Sequence, residues 1–410
     1  MRLRGGVQAV AGGAMAVFWP GSLVFGFVGV MGAEWARMLR VGPGAIGACL
    51  FFLLAGVGLM MFVVGHLQVR LGIRRMIFTG ILLCGLSTLL VAWPVRGLWQ
   101  VYAWAFGIGL GSSFVYLPAL TTVQLWHPAR RGIMSGIVNT MFGGSAAVVA
   151  PLLALGLKGP GYTGTSLILV GCVLGGGLLA ALWCAPPGKD DQPAQPAAAP
   201  AALPGPSLTA AQAGRTRAFW FLWLTWALMG AAGIAMVTLA APLGRTFAGA
   251  AAAGVVILTA FNLTNGLSRI LTGYLSDLIG RRLVMTLAFT AAGAAYLALP
   301  HLHSLGLAAF LAAVVGFGFG TMFAVSAPLA SDVFGLKHFG AVFGLVFTAY
   351  GFLAGALGPW LSGRLLAAGG AGSASTGASN LVLVCTYLAV FCLVAAGLIP
   401  FVRRPAGSTG

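Results

Sequence analysis

Apolar residues along this chain do not alternate with polar ones; they run together in long blocks separated by short polar loops. The blocks fall near residues 7–33, 43–68, 76–95, 98–126, 132–157 and 165–184, and then near 218–243, 251–275, 283–300, 305–331, 339–365 and 380–402. Each is close to the roughly 20 residues that a helix needs to cross a hydrocarbon core of about 30 Å. A spanning helix satisfies its own backbone hydrogen bonds, whereas barrel strands would show a period-two alternation that is missing here. The pattern predicts an all-α integral membrane protein of twelve transmembrane helices. The block from Val7 to Val30 is too long and glycine-rich for a cleaved leader, and no small-residue cleavage site follows it, so the first helix is expected to stay attached.

One break interrupts this rhythm. Between Ala185 and Arg217 seven prolines, several alanines and Asp190-Asp191 replace the apolar pattern. Such a composition reads as a flexible or partly extended linker, dividing residues 1–184 from 218–410. The two parts resemble each other at a shift of 208 residues, which sets Gly65, Leu67 and Gly72 against Gly273, Leu275 and Gly280. The same shift sets Gly132, Gly136, Gly143 and Pro151 against Gly340, Gly344, Gly351 and Pro359. Two pseudo-symmetric six-helix bundles follow, and parallel repeats of this kind describe a transporter with its solute site near the midplane between the halves. The glycines also let helices approach closely in lipid.

Composition fits this picture: 60% of residues are hydrophobic and 7% charged, against about a quarter charged in soluble domains. A net charge of +17 would suggest nucleic acid in a soluble protein, but the arginines sit in the loops between apolar blocks. Of the 22 Lys and Arg, 15 fall on one side of the predicted spans, 6 on the other, and Arg269 alone falls deep inside one. That bias predicts both termini and the linker in the cytoplasm, and a plasma (inner) membrane location, with lipid rather than nucleic acid as the surrounding partner. The six cysteines lie within apolar blocks without metal-ligand spacing, and no catalytic or metal-binding set is present beyond the isolated His301-Leu-His303. No enzyme activity, metal or cofactor is expected.

The repeated loop reads Gly65-His-Leu-Gln-Val-Arg-Leu-Gly-Ile-Arg-Arg75 in the first half and Gly273-Tyr-Leu-Ser-Asp-Leu-Ile-Gly-Arg-Arg282 in the second. It resembles the signature between helices 2 and 3, and 8 and 9, of the major facilitator superfamily. Gly65, Gly72, Gly273 and Gly280 permit tight turns, while Asp277 with Arg281, Arg282, Arg70 and Arg74 would latch neighbouring helix ends. Val69 stands in the first half where Asp277 stands in the second, which predicts a weaker latch on that side. Two longer stretches, Gly109 to Ala119 running on to Gly136, and Phe339 to Pro359, are similar to the monocarboxylate transporters and the related oxalate:formate antiporter group. That resemblance implies a twelve-helix, alternating-access carrier of small organic anions, expected to work as a monomer.

Arginine at the centre of a span costs about 2.5 to 3.5 kcal/mol on the insertion scale, so Arg269 needs a reason. Pairing with Asp277 two turns away, or with a carbonyl of a broken helix, is the structural one. The functional one comes from the resemblance: the family's helix 8 motif carries the arginine that binds the substrate carboxylate, and Asn265-Gly-Leu-Ser-Arg269 matches it. Asn262 and Asn265 share a helical face with Arg269; for Asn262 an interhelical hydrogen bond serves equally well. Proton-coupled members carry an aspartate where this chain has Asn265, and its five acidic residues (Glu34, Asp190, Asp191, Asp277 and Asp332) all fall at helix ends or in loops. A proton would have to travel on one of those, on His66 or on the solute itself. Oxalate-carrying relatives add a lysine in helix 11 where this chain has Tyr350. One fixed charge suits a monocarboxylate such as lactate, pyruvate or formate better than a dianion. Tyr116 would add a hydroxyl from the other half, and Phe323, Tyr350 and Tyr387 complete the candidates, although packing explains each of these aromatics too. The expected function is monocarboxylate transport of the lactate or pyruvate type, by proton symport or anion exchange. The alternatives are an oxalate/formate-type antiporter and a facilitator of other small organic solutes.

Overall fold

A computed structural model describes residues 2–41, 43–188, 207–247, 250–369 and 374–404, and all regular structure among them is helical. Twelve of its helices are long and apolar enough to span a membrane. In the first half these are α1 (Gly5–Leu39), α2 (Ala45–Leu71), α3 (Ile73–Leu90), α4 (Leu98–Trp126), α5 (Arg131–Lys158) and α6 (Gly161–Trp183). The second half has α7 (Arg217–Gly244), α8 (Ala253–Ile279), α9 (Arg281–His301), α10 (Leu305–Phe334), α11 (Phe339–Leu366) and α12 (Ser379–Phe401). The expected fold class is borne out. Leu82 and Leu86 on α3, Leu179 on α6, and Leu283 and Leu287 on α9 are exposed, as lipid-facing positions must be.

Boundaries differ from the apolar blocks where chain geometry intervenes. α3 stops at Leu90, five residues early, because Trp93 and Pro94 sit in the turn that follows. α1 continues to Leu39 through a π-helical segment, Ser22–Phe27, placed just after Pro20. α11 likewise widens into π turns at Ala349–Ala354 and Ala356–Trp360, around Pro359. Proline removes a backbone donor, and a wider turn is one way to re-form the ladder beside it. The expected linker is only partly structureless. Residues 189–206 lie outside the described residues, but Leu208 N–H donates to the Phe334 carbonyl at 2.9 Å, and Thr209 and Gln212 form a capping box on a short helix, Ala210–Gly214.

The halves meet where α2 packs on α11 and α5 on α8. Glycine makes that contact possible: a Cβ on Gly65 would strike the Gly340 carbonyl, and one on Gly132 would strike the Gly273 carbonyl. Gly72 and Gly280, at φ of +83° and +96°, end α2 and α8 in backbone conformations that side chains resist.

At the end of the bundle that carries the linker, Asp277 accepts hydrogen bonds from the backbone N–H of Gly132 and of Ile133, both at 3.0 Å, and from Arg281 Nη1 at 2.9 Å. A carboxylate thus caps the positive end of α5, in the other half. Asp332 extends the tie by accepting from Arg281 Nε and from Arg131 Nη1, the latter at 3.1 Å. On the first-half side, Val69 is 69% exposed and the neutral amide of Gln68 lies against Gly340 instead, bonded at 3.3 Å to Thr121. Arg70, Arg74 and Arg282 do not join either latch. Their side chains leave the helix ends for the exterior, and no ion pair among the described residues includes them. The latch is therefore Asp277, Arg281, Asp332 and Arg131, two of which the signature loop does not contain.

Candidate functional site

With the linker end closed, a cavity of about 840 Å³ opens toward the opposite end between the two halves. Its wall is mostly apolar: Val24 and Val28 of α1, Leu50 and Leu54 of α2, Ile234 of α7 and Leu258 of α8 are among the residues that line it. Polar groups are few, and most gather at the floor. There lies Arg269, 1% exposed. Nε donates to the Asn265 carbonyl at 3.2 Å, Nη2 to Asn265 Oδ1 at 3.2 Å, and Nη1 to the Asn139 carbonyl of α5 at 2.7 Å. The guanidinium also lies 4.9 Å from the centre of the Phe323 ring, a cation–π distance. A guanidinium has five N–H donors; these contacts occupy three of them.

Pairing of Arg269 with Asp277 is ruled out, because that carboxylate is engaged by Gly132, Ile133 and Arg281. The carbonyl bond is present, although its acceptor is an intact helix. No carboxylate among the described residues pairs with Arg269.

Asn265 holds the fork in place through its side-chain oxygen. Asn262, one helical turn nearer the mouth, is exposed on the cavity wall, and no hydrogen bond to it is found among the described residues. Tyr116 of α4, Tyr350 of α11 and Phe323 of α10 all line the cavity. Tyr116 donates from its hydroxyl to Asn139 Oδ1 at 2.5 Å. Tyr387 does not belong with them. It points away from the cavity into the α11–α12 contact, where its hydroxyl lies 2.6 Å from Ser362 Oγ. His66 is exposed outside the cavity and contacts the Phe62 carbonyl of its own helix.

Sequence reasoning missed Asn139 and Gly143 on α5. Fully buried Asn139 meets Arg269 through its carbonyl and Tyr116 through its side chain, while its amide donates to the Ser135 carbonyl at 2.8 Å. Gly143 leaves room for the guanidinium: a Cβ there would lie 2.7 Å from Nη1 and 2.8 Å from Cζ. The only signal in the sequence was the match of Gly143 to Gly351 across the repeat, which said that space mattered but not for what.

Two six-helix halves around a cavity closed at one end, with one buried cation at its floor among the described residues, define a membrane solute carrier rather than an enzyme. The match to the Major Facilitator Superfamily covers residues 10–255 and 230–409, and the chain belongs to that superfamily. Among curated proteins it is 27% identical over 275 residues to the oxalate:formate antiporter of Oxalobacter formigenes, a match covering 65% of this chain. The match spans 64% of the antiporter's length, just under two thirds. It is 25% identical over 307 residues to YhjX, an uncharacterized MFS-type transporter of Escherichia coli, covering 72% of this chain and 73% of that one. Among solved structures, the Escherichia coli fucose:proton symporter FucP superposes with a TM-score of 0.70 at 16% identity, over 98% of this chain and 99% of that one. A second FucP structure, in the outward conformation, gives 0.71 over 97% and 99%. At that identity the likeness concerns the fold.

Proposed function

We propose that this carrier moves small monocarboxylate anions, binding the carboxylate on Arg269, and that it works by exchange. The observation that carries the reading is the state of Arg269: buried at the cavity floor, held from behind by Asn139 and Asn265, and without a carboxylate partner among the described residues. A guanidinium keeps its charge at physiological pH and offers a planar fork that fits one carboxylate. The similarity to an oxalate:formate antiporter supports small carboxylates as the solute class. One cation favours formate, lactate or pyruvate over oxalate, whose second carboxylate would face Tyr350 and apolar wall without a counter-charge.

Exchange follows from the missing acid. No Asp, Glu or His among the described residues lines the cavity, so an empty carrier that reorients moves an uncompensated positive charge. A full crossing costs about 2.3 kcal/mol per charge per 100 mV. A bound anion cancels it. The positive-inside bias supports the linker end as the cytoplasmic one, which makes the present conformer outward-facing.

Proteoliposomes test this. Labelled lactate, pyruvate or formate is expected to enter only when the lumen holds a competing carboxylate, with no alkalinisation of the outer medium. Uptake into vesicles lacking an internal anion, accompanied by external alkalinisation, would replace exchange with proton symport.

A further inference from the structure

Below the cavity floor, in the closed half, the chain buries polar groups that it does not satisfy. Gln124 of α4 is fully buried, and neither its Oε1 nor its Nε2 has a hydrogen-bond partner among the described residues. Ser135 of α5 and Ser326 of α10 are also fully buried, and their hydroxyls have no partner among the described residues. Leaving such groups unpaired is costly, and a primary amide with both ends unpaired is an unusual thing to seal between helices.

Their positions share one direction. The Tyr116–Asn139 bond fixes the register of antiparallel α4 and α5. Eight residues beyond that contact on each helix, about 12 Å toward the linker end by helical rise, come Gln124 and Arg131. Ser135 lies between Asn139 and Arg131, and Ser326 lies on α10 between Phe323 at the floor and Asp332. Arg131 and Asp332 bond to each other in the latch, and Arg131 Nε is itself unpartnered. The three side chains therefore lie in depth between the Arg269 floor and the closing ion pairs, on helices of both halves.

We infer that Gln124, Ser135 and Ser326 form a polar station on the solute path, dry in this conformer and wetted when the linker end opens. The station takes a hydrated carboxylate leaving Arg269. Its amide and hydroxyl donors carry no fixed charge, so they pass an anion on rather than hold it. The choice of a carboxylate rests on the function proposed above; the existence of the path does not.

Single cysteines at the three positions test it, in a Cys172→Ser background that removes the one exposed native thiol. Exchanging oxygen for sulfur keeps Ser135→Cys and Ser326→Cys near-isosteric should Gln124→Cys fail to fold. An impermeant anionic methanethiosulfonate is applied from either face of sealed vesicles, with Asn262→Cys as the control for the open cavity. The expected result is modification of all three positions from the linker face alone, modification of Asn262→Cys from the opposite face, and at least a threefold change in the linker-face rates with saturating lactate or formate. Asn262→Cys reacting in an active carrier, while the three positions stay unreactive or react from the opposite face, would overturn the station. Linker-face labelling that no carboxylate alters leaves the path standing and removes the carboxylate reading. Carboxylate exchange without labelling does the reverse.

Discussion

Gly143→Ala is the sharpest probe of how the floor is built. The new methyl would meet Nη1 at 2.7 Å, Cζ at 2.8 Å and Nη2 at 3.1 Å, where ordinary carbon contacts need about 3.5 to 4.0 Å. The guanidinium must give way by close to 1 Å, and the neighbouring backbone of α5 cannot move with it, because Gly136, about two turns below on the same face, is already against the Arg269 carbonyl. The bond most exposed to that shift is Nη1 to the Asn139 carbonyl, at 2.7 Å. A hydrogen bond to a charged group is worth about 1.5 to 3 kcal/mol, so a misplaced fork weakens solute binding by about 10- to 150-fold. Gly144→Ala supplies the control, since its Cβ would meet nothing within 4 Å. Competition binding on purified protein gives the answer: Gly144→Ala retains the wild-type dissociation constant and Gly143→Ala loses at least tenfold. Equal affinity in Gly143→Ala and wild type would show that the guanidinium position does not govern recognition.

Other consequences follow from the same geometry. Tyr116→Phe removes the donor to Asn139 and is expected to lower affinity by about fivefold, near 1 kcal/mol for a neutral bond, whereas Tyr387→Phe leaves exchange within about twofold. Asp277→Asn keeps the shape of the latch but weakens its bonds to Gly132, Ile133 and Arg281; it should raise the rate at which linker-face thiol reagents enter the carrier, read on Ser326→Cys, while Val69→Asn leaves that rate unchanged. Because no Asp, Glu or His among the described residues lines the cavity, exchange of a fully ionised carboxylate should stay flat from about pH 6 to pH 8, the range in which a histidine or shifted acid would show itself. A titration step in exchange within that range would point to a proton-carrying group.

The scaffold was legible because lipid imposes simple demands. Unbroken apolar blocks gave the twelve spans, and the glycine matches at a shift of 208 marked the helix contacts at α2–α11 and α5–α8. Arg269 stood out because a charge in a span has to be explained. What the sequence hid were partnerships across the halves. Asn139 contributes a main-chain carbonyl, which any residue type would offer, and Asp332 meets Arg131 from a helix end 201 residues away. Arg70, Arg74 and Arg282 looked like latch residues because the motif places them near Asp277 and Val69 in sequence, yet the helix turn directs them outward. Tyr387 was chosen for its chemistry, and nothing in its neighbourhood along the chain revealed that Ser362 takes its hydroxyl.

Whether one buried guanidinium reads one carboxylate is decided by competition of unlabelled solutes against labelled lactate or formate in wild type, Arg269→Lys and Arg269→Ala. Short monocarboxylates are expected to compete in wild type, while oxalate and neutral analogues of the same size compete poorly. Arg269→Lys, which keeps the charge but loses the fork, is expected to weaken competition by at least tenfold, and Arg269→Ala to abolish it. Undiminished carboxylate competition in a folded Arg269→Ala carrier would show that Arg269 does not bind the carboxylate.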